Sequence, residues 1–287
     1  MRCAGVTVLY NPDYSVVESI KTYIDDVEIL FLVDNSSKDN SKMFSFDKKI
    51  RYIPFLDNKG ISYALNYGAK KAIELGFEWL LTMDQDSQFD KSGLGLLLDY
   101  ISKDHQGNKV GLYSPFHSTA ISGEPPKETV SNPLVLMTSG NVINLRAYKE
   151  IEGFKDWMFI DCVDFDYCLN LRIHGYELVQ VNDVILNHKL GDYEVKKFRG
   201  RDILCDNHNA TRRYYIVRNS YYIYDMYHQY YPDYCTAVVR EVQRAFFYVP
   251  ILEKDGFKKL VKMIKGYIDF RLKRKGRLDQ EVLYNDE

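Results

Sequence analysis

Trp79-Leu80-Leu81-Thr82-Met83-Asp84-Gln85-Asp86-Ser87 decides how the rest of the chain is read. A short apolar run, of the kind that forms a buried strand, stops abruptly at two carboxylates two residues apart. In an open α/β sheet such a strand end lies on the carboxyl edge, where ligands bind. Paired Asp oxygens at that edge can hold Mg2+ or Mn2+, hard cations bound by one or two carboxylates together with substrate phosphates. An isolated Asp-x-Asp also occurs in ordinary turns, so the neighbouring segments must support the reading.

On both sides of this stretch the pattern is strand, loop, helix. Val6-Thr7-Val8-Leu9-Tyr10 is stopped by Asn11-Pro12, and residues 15–24 can form a helix with Ser15 as N-cap and Glu18 completing a capping box. Residues 28–33 form a second apolar strand ending at Asp34-Asn35-Ser36-Ser37, and residues 50–54 a third. Residues 57–60 then turn into a helix over 61–75, which Gly76 closes. Repeated strand-helix-strand units of this kind predict a parallel crossover sheet. Further on, strands are expected at 110–116, 134–138, 177–181 and 184–186, an exposed loop at 118–132, and helices at 93–102 and 146–150. A second acidic cluster, Asp161 with Asp164 and Asp166, opens a helix that runs to Gly175.

Composition sets outer limits. The chain has 287 residues, 46% hydrophobic and 27% charged, which suits an ordinary globular protein of one large domain or slightly more. A net charge of -2 gives no global field for nucleic acid, so no nucleic-acid partner is expected. No apolar run approaches the length of a membrane span and no signal-peptide pattern opens the chain, so a cytoplasmic location is expected. The five Cys lack metal spacing and read as free thiols. From about Thr211 the chain is Tyr-rich, and no Gly interrupts the run from Arg201 to Pro250, which predicts a helical subdomain over 201–287 following a catalytic domain over 1–200. Residues 256–277 place Leu260, Ile264 and Ile268 among many Lys and Arg. This basic amphipathic helix predicts peripheral contact with the cytoplasmic face of a membrane, a contact between copies in a homo-oligomer being the competing reading.

Six segments in order resemble family 2 glycosyltransferases of the GT-A fold, closest to the bacterial rhamnosyltransferase group. They are residues 7–12, 33–37, 58–68, Asp84-Gln85-Asp86, Thr138-Ser139-Gly140-Asn141, and 161–176. The resemblance covers nearly the whole chain and implies a Rossmann-like, mostly parallel α/β sheet flanked by helices. It assigns Thr7, Tyr10, Asn11 and Asp34 to the nucleoside, and Asn58, Gly60 and Asn66 to phosphate near a helix N-terminus. Leu65 stands where many relatives carry Arg. Asp86 is implied as the direct metal ligand, Asp84 as a ligand nearer the ribose, and His188 as a third ligand that leans the site toward Mn2+ over Mg2+. Asp164 matches the general base, with Val163 and Asn170 departing from the usual Glu and Arg, and Arg218 is implied to reach the donor diphosphate.

The implied reaction is inverting transfer of a sugar from a nucleotide donor, dTDP-L-rhamnose or secondarily a UDP-hexose, to an oligosaccharide or lipid-linked glycan of the cell surface. A sugar-phosphate nucleotidylyltransferase is one rival, but it needs a Gly-rich basic loop where this chain has Tyr10-Asn11-Pro12. A noncatalytic glycan- or nucleotide-binding module is the other. It would have no use for both Asp86 and Asp164.

Overall fold

The computed structural model describes residues 1–90, 92–104, 109–188, 193–198 and 200–278, together with the backbone of residues 282–283. Contacts group the chain into two compact units, residues 1–156 with 164–189, and residues 157–163 with 190–287.

The first unit is α/β. Its elements run β1 (Cys3–Leu9), α1 (Ser15–Lys21), β2 (Ile29–Asp34), β3 (Ile50–Pro54), α2 (Ile61–Glu74), β4 (Trp79–Asp84), β5 (Gln88–Phe89), α3 (Gly93–Lys103), β6 (Val110–Ser118), β7 (Val130–Ser131), β8 (Asn141–Asn144), α4 (Leu145–Glu150), α5 (Val163–Ile173) and β9 (Glu177–Asn187). They build one sheet of order β3-β2-β1-β4-β8-β6-β9-β5, with β7 also on β9. The strands β3, β2, β1 and β4 are parallel neighbours, as the repeated crossover pattern predicts. Beyond β4 the sheet is mixed, because β8 inserts antiparallel to both β4 and β6. β1 is buried at every position, consistent with its mostly apolar sequence and its place between two parallel strands. A cluster that includes Leu9, Ile20, Leu30, Leu32, Leu81, Leu97 and Leu186 fills the core on the side of α1 and α3.

Two local expectations change, and one strand is unforeseen. Ser15 is not the cap of α1: Asp13 Oδ1 accepts from Ser15 N at 2.8 Å and from Ser15 Oγ at 2.5 Å, so the preceding Asp ties down the helix start. Residues 134–138 form no strand. Side chains bond this backbone instead: from α5, Arg172 donates to the carbonyls of Asn132, Pro133 and Leu134 and Cys168 Sγ exchanges hydrogen bonds with Leu136, while Thr82 Oγ1 donates to Thr138 O. Residues 141–144 are a full strand that ends as a cap, Asn144 Oδ1 accepting from Arg146 N at 3.0 Å at the start of α4.

The second unit starts with a hairpin, β10 (Glu194–Phe198) against β11 (Arg201–Cys205), that the sequence reading does not anticipate. Three helices follow, α6 (Ala210–Tyr227), α7 (Pro232–Leu252) and α8 (Gly256–Arg271), around a core of Val217, Val242, Ala245, Val249 and Met263. Residues 157–163, which the sequence reading places in the first domain, group with this unit because α6 side chains hold their carbonyls. All five Cys are buried and none is in a disulfide, and burial pushes the Cys3 and Cys168 thiols up to about 12, out of nucleophilic range at neutral pH.

The crossing of α2 over β1 makes a sharp test of this packing. A Cβ on Gly68 would lie 2.4 Å from Val6 Cγ2 and 2.6 Å from Val6 Cβ. Alanine gains about 1 kcal/mol of helix propensity over glycine, but overpacking against a β-branched side chain costs roughly 1–3 kcal/mol. Gly68→Ala is therefore expected to lower stability by up to about 2 kcal/mol in urea unfolding, against the helix-propensity trend; a higher midpoint would contradict the close approach.

Candidate active site

The register of β1 with its two neighbours lines up three strand ends. Leu9 is level with Asp34 on one side, and Val8 with Asp84 on the other. The loops leaving these strands are stitched together by side chains. Gln85 clasps the backbone of Tyr10, Oε1 accepting from Tyr10 N at 2.9 Å and Nε2 donating to Tyr10 O at 3.2 Å. Asn11, held at a positive φ of 46°, donates its N–H to Ser36 Oγ at 2.7 Å. Ser36 in turn donates to Asp34 Oδ1, through N at 2.8 Å and through Oγ at 2.5 Å.

Asp34 is fully buried, and its Oδ2 accepts from Tyr52 Oη at 2.7 Å and Asn40 Nδ2 at 2.9 Å. Burial and this carboxylate together push the Tyr52 phenol up, so it stays a donor. The carboxylate expected to contact the nucleoside thus serves as the anchor of its own loop. Thr7 is likewise buried, bonded to Tyr23 Oη at 2.9 Å, whereas Tyr10 is about half exposed, with its ring open to a ligand.

Gly60 adopts φ 92° and leads into α2 without a side-chain cap. Asn58 Oδ1 accepts from Gly60 N at 3.0 Å, and Asn35 brackets the same turn by accepting from Lys59 N and donating to Gly60 O. Asn66 is turned elsewhere. Nδ2 donates to Phe154 O at 2.7 Å and Asp156 Oδ1 at 2.6 Å, while Oδ1 accepts from Tyr148 Oη at 2.7 Å and Phe154 N at 3.0 Å. All four hydrogen-bonding positions of the amide are occupied by the protein, so Asn66 fastens residues 154–156 to α2 and has no capacity left for phosphate.

Asp84, Asp86 and His188 come together, with one potential ligand atom from each lying within 4.8 Å of the others. β5 and β9 cause this. Gln88 pairs with Asn187 and Phe89 with Leu186, which delivers the next residue, His188, beside the end of β4. His188 Nδ1 lies 3.9 Å from Asp86 Oδ1 and 2.6 Å from Ser87 Oγ. Behind it runs a polar relay that sequence reasoning missed: Ser139 Oγ donates to Ser87 Oγ at 2.8 Å and accepts from Asp84 N at 3.1 Å. His117 Nε2 donates to Ser139 O at 2.6 Å; burial lowers its pKa to about 4, so it is neutral at pH 7 and adds no charge beside the carboxylates. The Ser-Gly-Asn motif signalled this relay in the sequence, although its purpose was not legible there. Two carboxylates and one imidazole form a donor set that fits Mn2+ or Mg2+, the imidazole favouring Mn2+.

Asp164 stands in the first turn of α5, partly exposed, with Oδ1 accepting from Phe165 N at 2.9 Å. Asp166 is buried and paired with Lys155 at 3.1 Å. In the second unit Asp161 is paired with Arg212 at 2.5 Å. Arg218 is buried there, and the reach to a diphosphate expected of it is not what it does. Its five N–H groups go to Asn219 Oδ1, Tyr214 Oη and the carbonyls of Gly276, Trp157 and Met158. Asn219 Nδ2 adds bonds to the carbonyls of Met158, Ile160 and Asp161. These two side chains hold a loop in which Phe159, Asp161 and Cys162 all have positive φ, backbone that non-glycine residues seldom adopt.

Comparison with known proteins agrees with this geometry. Residues 14–149 match the family model Glycosyl transferase family 2. The chain is 26% identical over 235 residues to dTDP-rhamnosyl transferase RfbF of Shigella flexneri, covering 76% of this chain and 78% of that protein. Among solved structures it resembles GalNAc-T7 with UDP, GalNAc and Mn2+, at a TM-score of 0.60 and 14% identity over 94% of this chain, spanning 56% of that one. It also resembles residues 1–349 of S. aureus TarS in complex with UDP-GlcNAc, at a TM-score of 0.60 and 13% identity over 94% of this chain and 81% of that one. These likenesses place the fold among GT-A glycosyltransferases. With that fold, a match to the family 2 glycosyl transferase model over residues 14–149 and the similarity to a rhamnosyl transferase, the chain is a glycosyltransferase that carries a family 2 domain.

Proposed function

We propose that the protein transfers a sugar, L-rhamnose from dTDP-rhamnose, to a hydroxyl of a cell-surface glycan with inversion at the anomeric carbon. The observation that carries this reading is the meeting of Asp84, Asp86 and His188 next to the clasped Tyr10 loop. The rhamnosyl donor is supported by the relative from Shigella flexneri. The UDP and UDP-GlcNAc bound by structural neighbours favour a UDP-hexose as the second choice.

In this proposal the pyrimidine and ribose lie against Tyr10 and Asn11, whose backbone Gln85 and Ser36 hold in place. Thr7 and Asp34 support that pocket from behind, and Gly60 with Asn58 presents the start of α2 to phosphate. Asp84, Asp86 and His188 would hold Mn2+ or Mg2+. A bound cation supplies charge neutralisation to the leaving diphosphate, a contribution of several kcal/mol. Asp164 accepts the proton of the acceptor hydroxyl as its oxygen bonds to the anomeric carbon, and the nucleoside diphosphate departs from the opposite face. A carboxylate with an ordinary pKa of about 3.9 is ionised at neutral pH and can take that proton late in the transition state. The catalytic domain proposed is residues 1–200, with residues 201–287 as a helical subdomain that brings the enzyme to a lipid-linked acceptor at the membrane.

Two substitutions separate binding from chemistry. Asp86→Ala removes one of few protein ligands, so metal-dependent binding of dTDP, followed calorimetrically with Mn2+, should weaken by about tenfold or more and transfer should be lost; His188→Ala should be milder because water can fill its place. Normal turnover of Asp86→Ala in chelator would overturn the metal assignment. Asp164→Asn keeps the size and the helix-start bond but removes the base. Single-turnover transfer should fall by about 10²–10⁴-fold while nucleotide affinity is retained. A helix-capping role alone predicts a nearly silent change, since Asn and Asp cap equally well.

A further inference from the structure

The helix α8 is amphipathic, with large apolar residues on its outward side. Its buried side consists of Gly256, Lys259, Met263, Gly266 and Asp269. Lys259 is accommodated because Nζ donates to Glu253 Oε2 at 2.8 Å, and Glu253 Oε1 is bonded to the buried Arg213. Asp269 accepts from Tyr214 Oη at 2.8 Å and pairs with Lys265 and Arg274. Gly266 permits close approach of α6, since a Cβ there would lie 2.5 Å from the Tyr214 carbonyl oxygen. The inward orientation of α8 is therefore fixed by ion pairs and backbone proximity as well as by Met263.

The outward side is left to large apolar residues. Phe257 is 78% exposed, and Val261, Ile264, Ile268 and Leu272 are each 45–51% exposed. Steps of four, three, four and four residues put them on one stripe, which at 1.5 Å per residue is about 22 Å long. On α7, Phe247 and Ile251 are one turn apart and also well exposed. Apolar residues scattered singly over a surface need no explanation, but a continuous stripe marks an interaction site. Lys258, Lys262 and Lys265 run along one flank, and Arg240 and Arg244 are exposed on the same face of α7 as Phe247.

We infer that this stripe is a docking surface for the headgroup and acyl boundary of an anionic membrane. Apolar residues flanked by cations match the two layers of such an interface, the apolar ones entering the acyl boundary and the cations meeting acidic headgroups. A second copy of the chain is a poorer occupant, because antiparallel packing of α8 about a two-fold would bring the same cationic flank against itself. No described helix is long and apolar enough to cross the membrane, so the contact is peripheral where these helices make it. The inference deepens the membrane element of the proposed function and rests on that element, not on the transfer chemistry.

Sedimentation of the full chain with vesicles tests it. Vesicles rich in phosphatidylglycerol should carry the protein down at low salt, with binding about tenfold weaker or less to phosphatidylcholine vesicles. The variant Phe257→Ser with Ile264→Ser and Ile268→Ser should lose about tenfold or more of the anionic-vesicle binding, while its melting temperature and its hydrolysis of nucleotide-sugar donor in solution stay at parent values. Equal vesicle binding by parent and variant would overturn the inference, as would a parent that is dimeric in solution and becomes monomeric in the variant. Absence of donor hydrolysis in both proteins would count against the transferase reading and leave the vesicle result to stand on its own.

Discussion

A two-residue strand pairing positions the candidate metal ligands. β5 contributes only Gln88 and Phe89, yet their register on β9 decides which residue emerges beside Asp86. Because side chains alternate between the faces of a sheet, a slip of one residue would turn the His188 imidazole to the other side. The register is held by an apolar anchor and two backbone bonds. Phe89 is buried in the same core cluster as Leu186, Asp90 N donates to Ile185 O, and His188 N donates to Ser118 O. Hydrophobic burial thus fixes the position of a polar group that has little packing energy of its own. Gln85 and Ser36 extend the same logic to the donor side, where bonds to the backbone of Tyr10 and Asn11 convert three separate loops into one edge.

In the second unit the controlling groups are polar and buried. Arg218 is almost fully inaccessible, and an unpaired guanidinium there would be costly, so its five bonds to carbonyl and side-chain oxygens are a condition of its burial. With Asn219 it fixes residues 157–161 in a backbone path that includes left-handed Phe159 and Asp161. The chain continues from that path directly into α5 and Asp164. The buried Arg213 and Lys259 both pair with Glu253, Arg213 pairs also with Asp206, and among the described residues Arg213 Nε has no hydrogen-bond partner.

The sequence disclosed most about the parts whose chemistry is local. The parallel strands and the position of Asp84 and Asp86 at the end of one of them follow a local pattern, whereas His188 is tied to them only by the family resemblance. The family resemblance assigns Asn66, near a helix start, to phosphate and Arg218 to the donor diphosphate. Their actual partners are backbone carbonyls 88 and 61 residues away, for Asn66 to Phe154 and Arg218 to Trp157, and such tertiary partners leave no periodicity in the chain. Residues 134–138 look like a strand by composition, but side chains of α5 took the place of a neighbouring strand. On α8 the four-residue apolar spacing was visible, and the direction it faced was not, because Lys259 and Asp269 find buried partners outside their own local sequence.

The claim that the β4 edge and His188 form a divalent-cation site for a nucleotide donor is tested most directly by diffraction. Crystals of the full chain grown with dTDP and MnCl2 would be measured at the manganese absorption edge. The expected result is an anomalous peak in contact with the Asp86 carboxylate and the His188 imidazole, shared with the diphosphate of dTDP lying by the Tyr10 loop. Clear nucleotide density with no manganese at Asp84, Asp86 and His188, or manganese bound elsewhere, would contradict it.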